Sequence, residues 1–208
     1  LDGALLNTEL TIVEGQYFEI LARRGRLEAE RAETPEITFP DELIEAAANN
    51  PQYDAMMQGQ LSLFAARRNT LEQSLGQLAK QSEQIESQIG GIDAQASALR
   101  QQRDFIGQEL RDQRALLEKG LAQAPRVLAL EREAARLDGQ LGEVIATRAR
   151  AVTQLAEIDL SRLEKTATQR EAAETELRDQ GYRELELAER RRSLSEQITR
   201  LEIRAPVS

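Results

Sequence analysis

The side chains best equipped for chemistry in this chain of 208 residues are its 36 carboxylates, because it contains no His and no Cys. That absence removes the commonest general base, the best thiol nucleophile and the usual zinc ligands together. Carboxylates alone can still work as an acid and base pair across a scissile bond. Here they are spread along helical patterns, as solvated faces are, and neither a paired arrangement nor a glycine-rich phosphate loop stands out. The sequence therefore predicts no catalytic residue, no cofactor and no metal. A nucleic-acid surface is excluded on charge: the formal net charge is −9, and acidic residues surround the single cationic run, Arg190-Arg191-Arg192. That run reads as a solvated helix face rather than a phosphate-binding patch.

Recognition of another protein is what remains, and one short stretch carries it. In LLEKGLAQAPRVLAL, residues 116–130, both flanks are helical in pattern and the middle is not. Lys119 suits the negative end of a helix and Gly120 suits the left-handed position just past it. Pro125 suits the first turn of a returning helix. Leu116, Leu117, Leu121 and Val127 cannot all face inward at so tight a connection. Either some form a local turn core, or some dock into grooves between the helices of a partner.

The elements that position this stretch follow from composition and period. Aromatics are 3% of the chain, there is no Trp, and 30% of residues are charged. Ala, Leu, Glu, Gln and Arg dominate, as they do in long helices and coiled coils. A first helix is expected within 1–32, with Leu6, Leu10, Val13, Tyr17, Ile20 and Leu27 as its apolar stripe. Arg24 interrupts that stripe, and Glu9, Glu19, Arg26 and Glu30 are assigned to the opposite face. Pro35 and Pro40 exclude a continuous helix in 33–50, which reads as a long connecting loop with one short helical turn after Asp41.

From Pro51 to Lys119 the pattern is the clearest in the chain. Alternate steps of four and three from Met57 to Leu117 land on apolar residues at fourteen of eighteen positions. A period of 3.5 held that long implies a left-handed coiled coil. Gly90-Gly91 falls in mid-helix, where two glycines cost about 2 kcal/mol relative to alanine, so Gly90 and Gly91 are either a hinge or tolerated local flexibility. A third long helix is expected over 125–203. Its stripe of Leu130, Ala134, Leu137, Leu141 and Val144 weakens toward Ile158 and resumes one residue out of step at Leu163 and Ala173. Residues 204–208, RAPVS, read as the start of an extended segment.

The fold class expected is all-α: a long antiparallel coiled-coil hairpin of 51–119 and 125–203 joined by a tip at 120–124, with a third helix packed at its base. The third helix is placed by length, since the start of the ascending arm already lies opposite about residue 193 of the descending one. Arms of 69 and 79 residues would reach ~100 and ~120 Å. A second asymmetry is lateral: residues 73–102 hold five charged residues and 164–193 hold fifteen. The first of these flanks could pack closely against a neighbouring hairpin.

At this point the sequence resembles a known family. LDGALLNTEL is similar to the segment leaving the first half of a lipoyl domain, and LEIRAPVS to the strand entering its second half. ITFPDEL and LLEKGLAQAPRVLALEREAARLDGQLGE resemble HlyD-type membrane fusion proteins of type I secretion, in the subgroup exporting proteases, lipases or haem-binding proteins. The resemblance implies a periplasmic adaptor hairpin, held in the inner membrane by parts of the protein outside this chain. Such an adaptor joins an inner-membrane ABC transporter to a TolC-like outer-membrane channel, in a ring of six copies, with the tip meeting the channel. Tip residues expected to contact the partner are Arg114, Leu117, Lys119, Gly120, Leu121 and Arg126. The family's tip pattern of Arg, Leu four residues on and Ser seven further is met at Arg114, while Glu118 and Pro125 stand at the other positions.

No apolar run reaches the ~20 residues needed to cross a bilayer, and the N-terminus lacks the basic region of a signal peptide, so no direct membrane insertion is expected of this chain. The rival reading is an antiparallel coiled-coil arm of a chromosome-maintenance or repair ATPase. A third, a filament-associated coiled coil, predicts parallel association and no break at residue 120.

Overall fold

The computed structural model describes residues 2–203, with side chains described for 3–200. All regular structure among them is α-helical: α1 (Asp2–Ala32), α2 (Asp41–Asn49), α3 (Pro51–Glu118) and α4 (Ala124–Ile203). The extended segment expected at 204–208 lies outside the described residues. Two compact units are formed, one by Leu1–Gln73 with Glu164–Ser208 and one by Ser74–Leu163.

In the first unit, α1 stops where its backbone turns left-handed at Glu33, with φ of 54°. The Thr34 amide then donates back to the Ala29 carbonyl at 3.1 Å, and Pro35 prevents the helix from resuming. Residues 34–40 run without regular structure across α1 at Gly25. A Cβ on Gly25 would lie 2.9 Å from Phe39 Cδ1 and 3.1 Å from the Thr38 carbonyl oxygen, so only glycine lets the strap lie this close. The Arg68 guanidinium ties the strap down by donating to the Pro35 carbonyl at 2.9 Å, which explains one polar break in the α3 stripe. The helical part of this connection is larger than a single turn. α2 has nine residues, with Asp41 and Glu42 in its first turn opposite the positive helix end. Asn50 then caps α3, its Oδ1 accepting from the Gln52 amide at 3.0 Å ahead of Pro51 at the first helical position.

Ion pairs set the directions. Arg190–Glu9, Arg24–Glu184 and Arg31–Glu174 run α1 antiparallel to α4, while the Arg26–Gln60 hydrogen bond and the Arg67–Glu30 pair together run it parallel to the start of α3. The core of this unit gathers Tyr17, Phe18, Leu21 and Ala22 from α1, Phe39 from the strap, Leu43 from α2 and Tyr53 from α3, with Leu187 and Ala188 of α4 against it. Because neighbours cover α1 on several sides, its buried surface is wider than one stripe. Phe18, Leu21 and Ala22 are buried, and Arg26 and Glu30, expected on the solvent face, are 2% and 5% exposed.

In the second unit, α3 and α4 form an antiparallel two-helix hairpin. Its core gathers Ile92, Ala96, Val144 and Ala151, with Ile85, Ile89, Leu99 and Leu141 packed against them. Asp93–Arg148 at 2.7 Å and Arg103–Asp138 at 2.5 Å fix the register, each joining residues equidistant from the Gly120–Leu121 bond. The stripe of α4 does not resume at Leu163, which is 67% exposed. Steps of three or four from Ile158 land on Ser161 or Arg162, and Leu163 is turned a further ~100° away. Half-buried Ser161 holds the inward position instead.

Candidate functional site: the hairpin turn

The turn between α3 and α4 is closed by backbone alone. Gly120 has φ of 71°, the left-handed conformation that costs an L residue roughly 1–2 kcal/mol. The Leu121 amide donates to the Leu116 carbonyl at 2.9 Å and the Gly120 amide to the Leu117 carbonyl at 2.9 Å. This pair of bonds is the Schellman closure, which satisfies carbonyls that a helix end otherwise leaves open. α3 ends at Glu118 and α4 starts at Ala124, each one residue earlier than the sequence suggests. Lys119 is drawn into the cap, and the Gln123 carbonyl accepts from the Arg126 amide at 3.0 Å.

All six candidate contact residues fall within this turn and the adjoining helix ends, but they are not equivalent. Val127 is 7% exposed and Leu130 5%, so these two form the turn core. Leu117 is half-buried. Leu121 is 72% exposed, Leu128 48% and Leu116 37%, so Leu121 is the most exposed of the three leucines that packing leaves open here. Arg114 pairs with Glu131 at 2.5 Å and Arg126 pairs with Glu109. Both arginines thus brace the two helices and keep half-exposed guanidinium edges. Lys119 and Gly120 are exposed.

Gly90 and Gly91 lie apart from this site. α3 passes through them unbroken, and a Cβ at either would meet nothing within 4 Å. Neither glycine is needed for a close approach. Phe105, 69% exposed on α3, was not singled out by the sequence reading. The other three phenylalanines, Phe18, Phe39 and Phe64, are buried.

Two polar groupings in the first unit also escaped the sequence reading. Arg191, taken as part of a solvated run, sits over the rings of Tyr17 and Phe18 at 5.1 and 5.3 Å. It donates to Glu42 at 2.5 Å, and Glu42 also accepts from the Tyr17 hydroxyl at 2.9 Å. Burial pushes the Glu42 carboxyl up, but the hydrogen bonds from Arg191 and Tyr17, with the Arg191 charge, outweigh it and hold the group below its ordinary value. Burial likewise raises the Tyr17 phenol, and its bond to Glu42 adds to that. The other grouping centres on Arg26, which donates to Glu30 at 2.7 Å and Gln60 at 2.8 Å and reaches Glu176 at 3.5 Å. Gln180 donates to Glu176 at 3.3 Å, while its own Oε1 is buried and unpartnered. A helical period that places Arg26 and Glu30 four apart gives no sign of burial; only the packing of α3 and α4 against α1 does.

Among the described residues no group of side chains is arranged to hold a metal ion, and no helix is long and apolar enough to cross a membrane. The arrangement offers shape and an exposed apolar point on a rigid turn. The sequence profile of the family described as AprE, long alpha-helical hairpin, matches residues 6–197. The chain belongs to this AprE hairpin family. A relative, the type I secretion system membrane fusion protein PrsE of Rhizobium meliloti (strain 1021), is 33% identical over all 208 residues. Those residues make up 47% of PrsE, so the chain spans about half the length of this curated relative. The AprE-type fold is also that of the soluble domain of LipC, a membrane fusion protein of a type I secretion system. That structure matches with a TM-score of 0.90 at 21% identity, covering 98% of this chain and 94% of LipC's.

Proposed function

We propose that this chain is the periplasmic hairpin of a type I secretion adaptor, which links an inner-membrane ABC transporter to a TolC-like outer-membrane channel and meets that channel with its turn. The observation that carries the reading is Leu121, 72% exposed on a backbone-closed turn, in a chain of the AprE hairpin family. An apolar side chain held on a rigid bend, beside a half-buried Leu117, suits insertion into a groove between partner helices. Arg114, Arg126 and Lys119 supply a positive rim around it, and Gly120 fixes the geometry. The hairpin acts by position, without catalysis, in a ring of six copies. Gly90 and Gly91 let α3 bend as the ring engages. The relatives' names speak for secretion rather than for an ATPase arm.

The test is site-specific cross-linking in secreting cells from residue 121, with residue 45 of α2 as control, together with Leu121→Asp. A product joining residue 121 to the outer-membrane channel, and loss of secretion and channel co-purification in Leu121→Asp with helicity retained, is the expected result. A channel product from residue 45 but not 121, or secretion unchanged by Leu121→Asp, overturns the reading.

A further inference from the structure

The polar contacts between α1 and the 174–191 stretch of α4 follow a charge order. Near the start of α1, Glu9 meets Arg190 at 2.5 Å and Glu14 meets Arg191 at 3.4 Å. Toward its end the signs reverse: Arg24 meets Glu184 at 2.8 Å, Arg26 meets Glu176 at 3.5 Å and Arg31 meets Glu174 at 3.6 Å. The side chains that meet thus run from acidic to basic along each helix, and they match only because the helices are antiparallel. A parallel arrangement would turn Glu9 toward Glu174 and Arg31 toward Arg191. Arg190 and Arg191, which read as a solvated face in the sequence, are one half of this order.

The seam of α1 with α3 is built differently. The buried core of this unit is drawn from residues between Tyr17 and Tyr53, with the Phe18 and Tyr53 rings 4.6 Å apart. α4 lays half-buried Leu187 and Ala188 against that core, with buried Ala173 and Leu194 to either side along the helix.

The α1–α4 seam can also part without stranding a charge. When Glu184 leaves, Arg24 keeps Glu28 at 2.8 Å. When Glu176 leaves, Arg26 keeps Glu30 and Gln60. When Arg191 leaves, Glu42 keeps the Tyr17 hydroxyl. On the α4 side, Gln180 donates to the same Glu176 oxygen that Arg26 reaches, while its own Oε1 is buried without a donor. That orphaned acceptor costs the closed seam free energy that contact with solvent returns. The outermost pairs, Arg190–Glu9 and Arg31–Glu174, are about half exposed, so salt screens them.

We propose that the contact of α1 with the 174–191 stretch of α4 is a separable clasp, aligned by this charge order, which parts while α1, α2 and α3 stay packed. Low ionic strength closes it and high ionic strength loosens it.

The experiment measures two spin-label distances in the full 208-residue chain, which contains no Cys of its own. Gln16→Cys on α1 is paired with Glu189→Cys on α4 in one sample and with Ala55→Cys on α3 in the other; all three positions are exposed. Between about 50 mM and about 1 M NaCl, where the Debye length falls to roughly 3 Å, the α1–α4 distance is expected to shift to longer values while the α1–α3 distance holds. Glu9→Arg with Arg31→Glu inverts the order on α1 and should open the seam already at low salt. Adding Arg190→Glu with Glu174→Arg inverts α4 to match and should close it again. An α1–α4 distance indifferent to salt and to the inversion overturns the proposal, as does a matched inversion that stays open. An α1–α3 distance that lengthens together with the α1–α4 distance overturns it too, because the unit then opens as one body.

Discussion

Removing the Glu30 carboxylate tests what holds the bundle unit together. The side chains of Arg26 and Glu30 are 2% and 1% exposed, with a 2.7 Å bond between them. Glu30→Ala deletes that charge-assisted bond, worth roughly 1.5–3 kcal/mol. It leaves Arg26 with Gln60 at 2.8 Å and a long contact to Glu176 at 3.5 Å. A buried guanidinium short of a counter-charge raises the total to about 3–5 kcal/mol. The bond from Arg67 to Glu30 adds little, since Arg67 is 45% exposed. Replacing both partners by apolar residues of similar volume, Arg26→Met with Glu30→Leu, removes the stranded charge and is expected to cost about 1 kcal/mol or less, or to stabilise. Urea unfolding followed by helical ellipticity measures both variants, with the midpoint falling sharply only for Glu30→Ala. A Glu30→Ala cost below about 1 kcal/mol, or a double variant as unstable as Glu30→Ala, would refute the reasoning.

Three further outcomes are expected. Gly25→Ala should destabilise the bundle unit by about 1–3 kcal/mol, because the new Cβ meets Phe39 Cδ1 at 2.9 Å; the ring environment of Phe39 in an NMR spectrum reports whether the strap has moved. The lowered Glu42 carboxyl contributes stability that is fully present above its unfolded value and is lost as pH falls through the folded one. Acid titration should therefore weaken the bundle unit below the ordinary carboxylate range, and Glu42→Gln should flatten that part of the profile. Replacing Gly90 and Gly91 with Ala should stabilise α3 by about 2 kcal/mol, since both positions open onto free space; if they bend in the working assembly, secretion falls while the unfolding midpoint rises.

What the sequence displayed depended on how one-dimensional each region is. In the hairpin unit one helix faces one helix, so a 3.5-residue period translated directly into buried Ile92 and Ala96 facing Val144 and Ala151. The bend was legible for the same reason, through a glycine in the one place where a left-handed residue was required. In the bundle unit the correspondence failed because burial has several directions. Arg26 and Glu30 follow the pattern of a solvated pair, yet α3 and α4 enclose them. Arg191 belongs to a charge run, yet the aromatic rings of α1 lie beneath it. Gly25 is unremarkable in sequence until the strap crosses it. At the turn, residue types showed which side chains gather there; which apolar residues are left over depended on the rotation of each helix end, with Val127 inward and Leu121 outward.

The way the bend is closed has a consequence for its variability. Leu116 and Leu117 give their carbonyls to the amides of Leu121 and Gly120, so main-chain groups and one glycine hold the loop, and the side chains of residues 119, 121 and 123 bear none of that duty. They can be rewritten at small cost to folding. A lineage could thus change what its bend recognises by drifting at these few positions while the arms beneath stay the same, and short swaps of residues 119–123 between relatives should be portable.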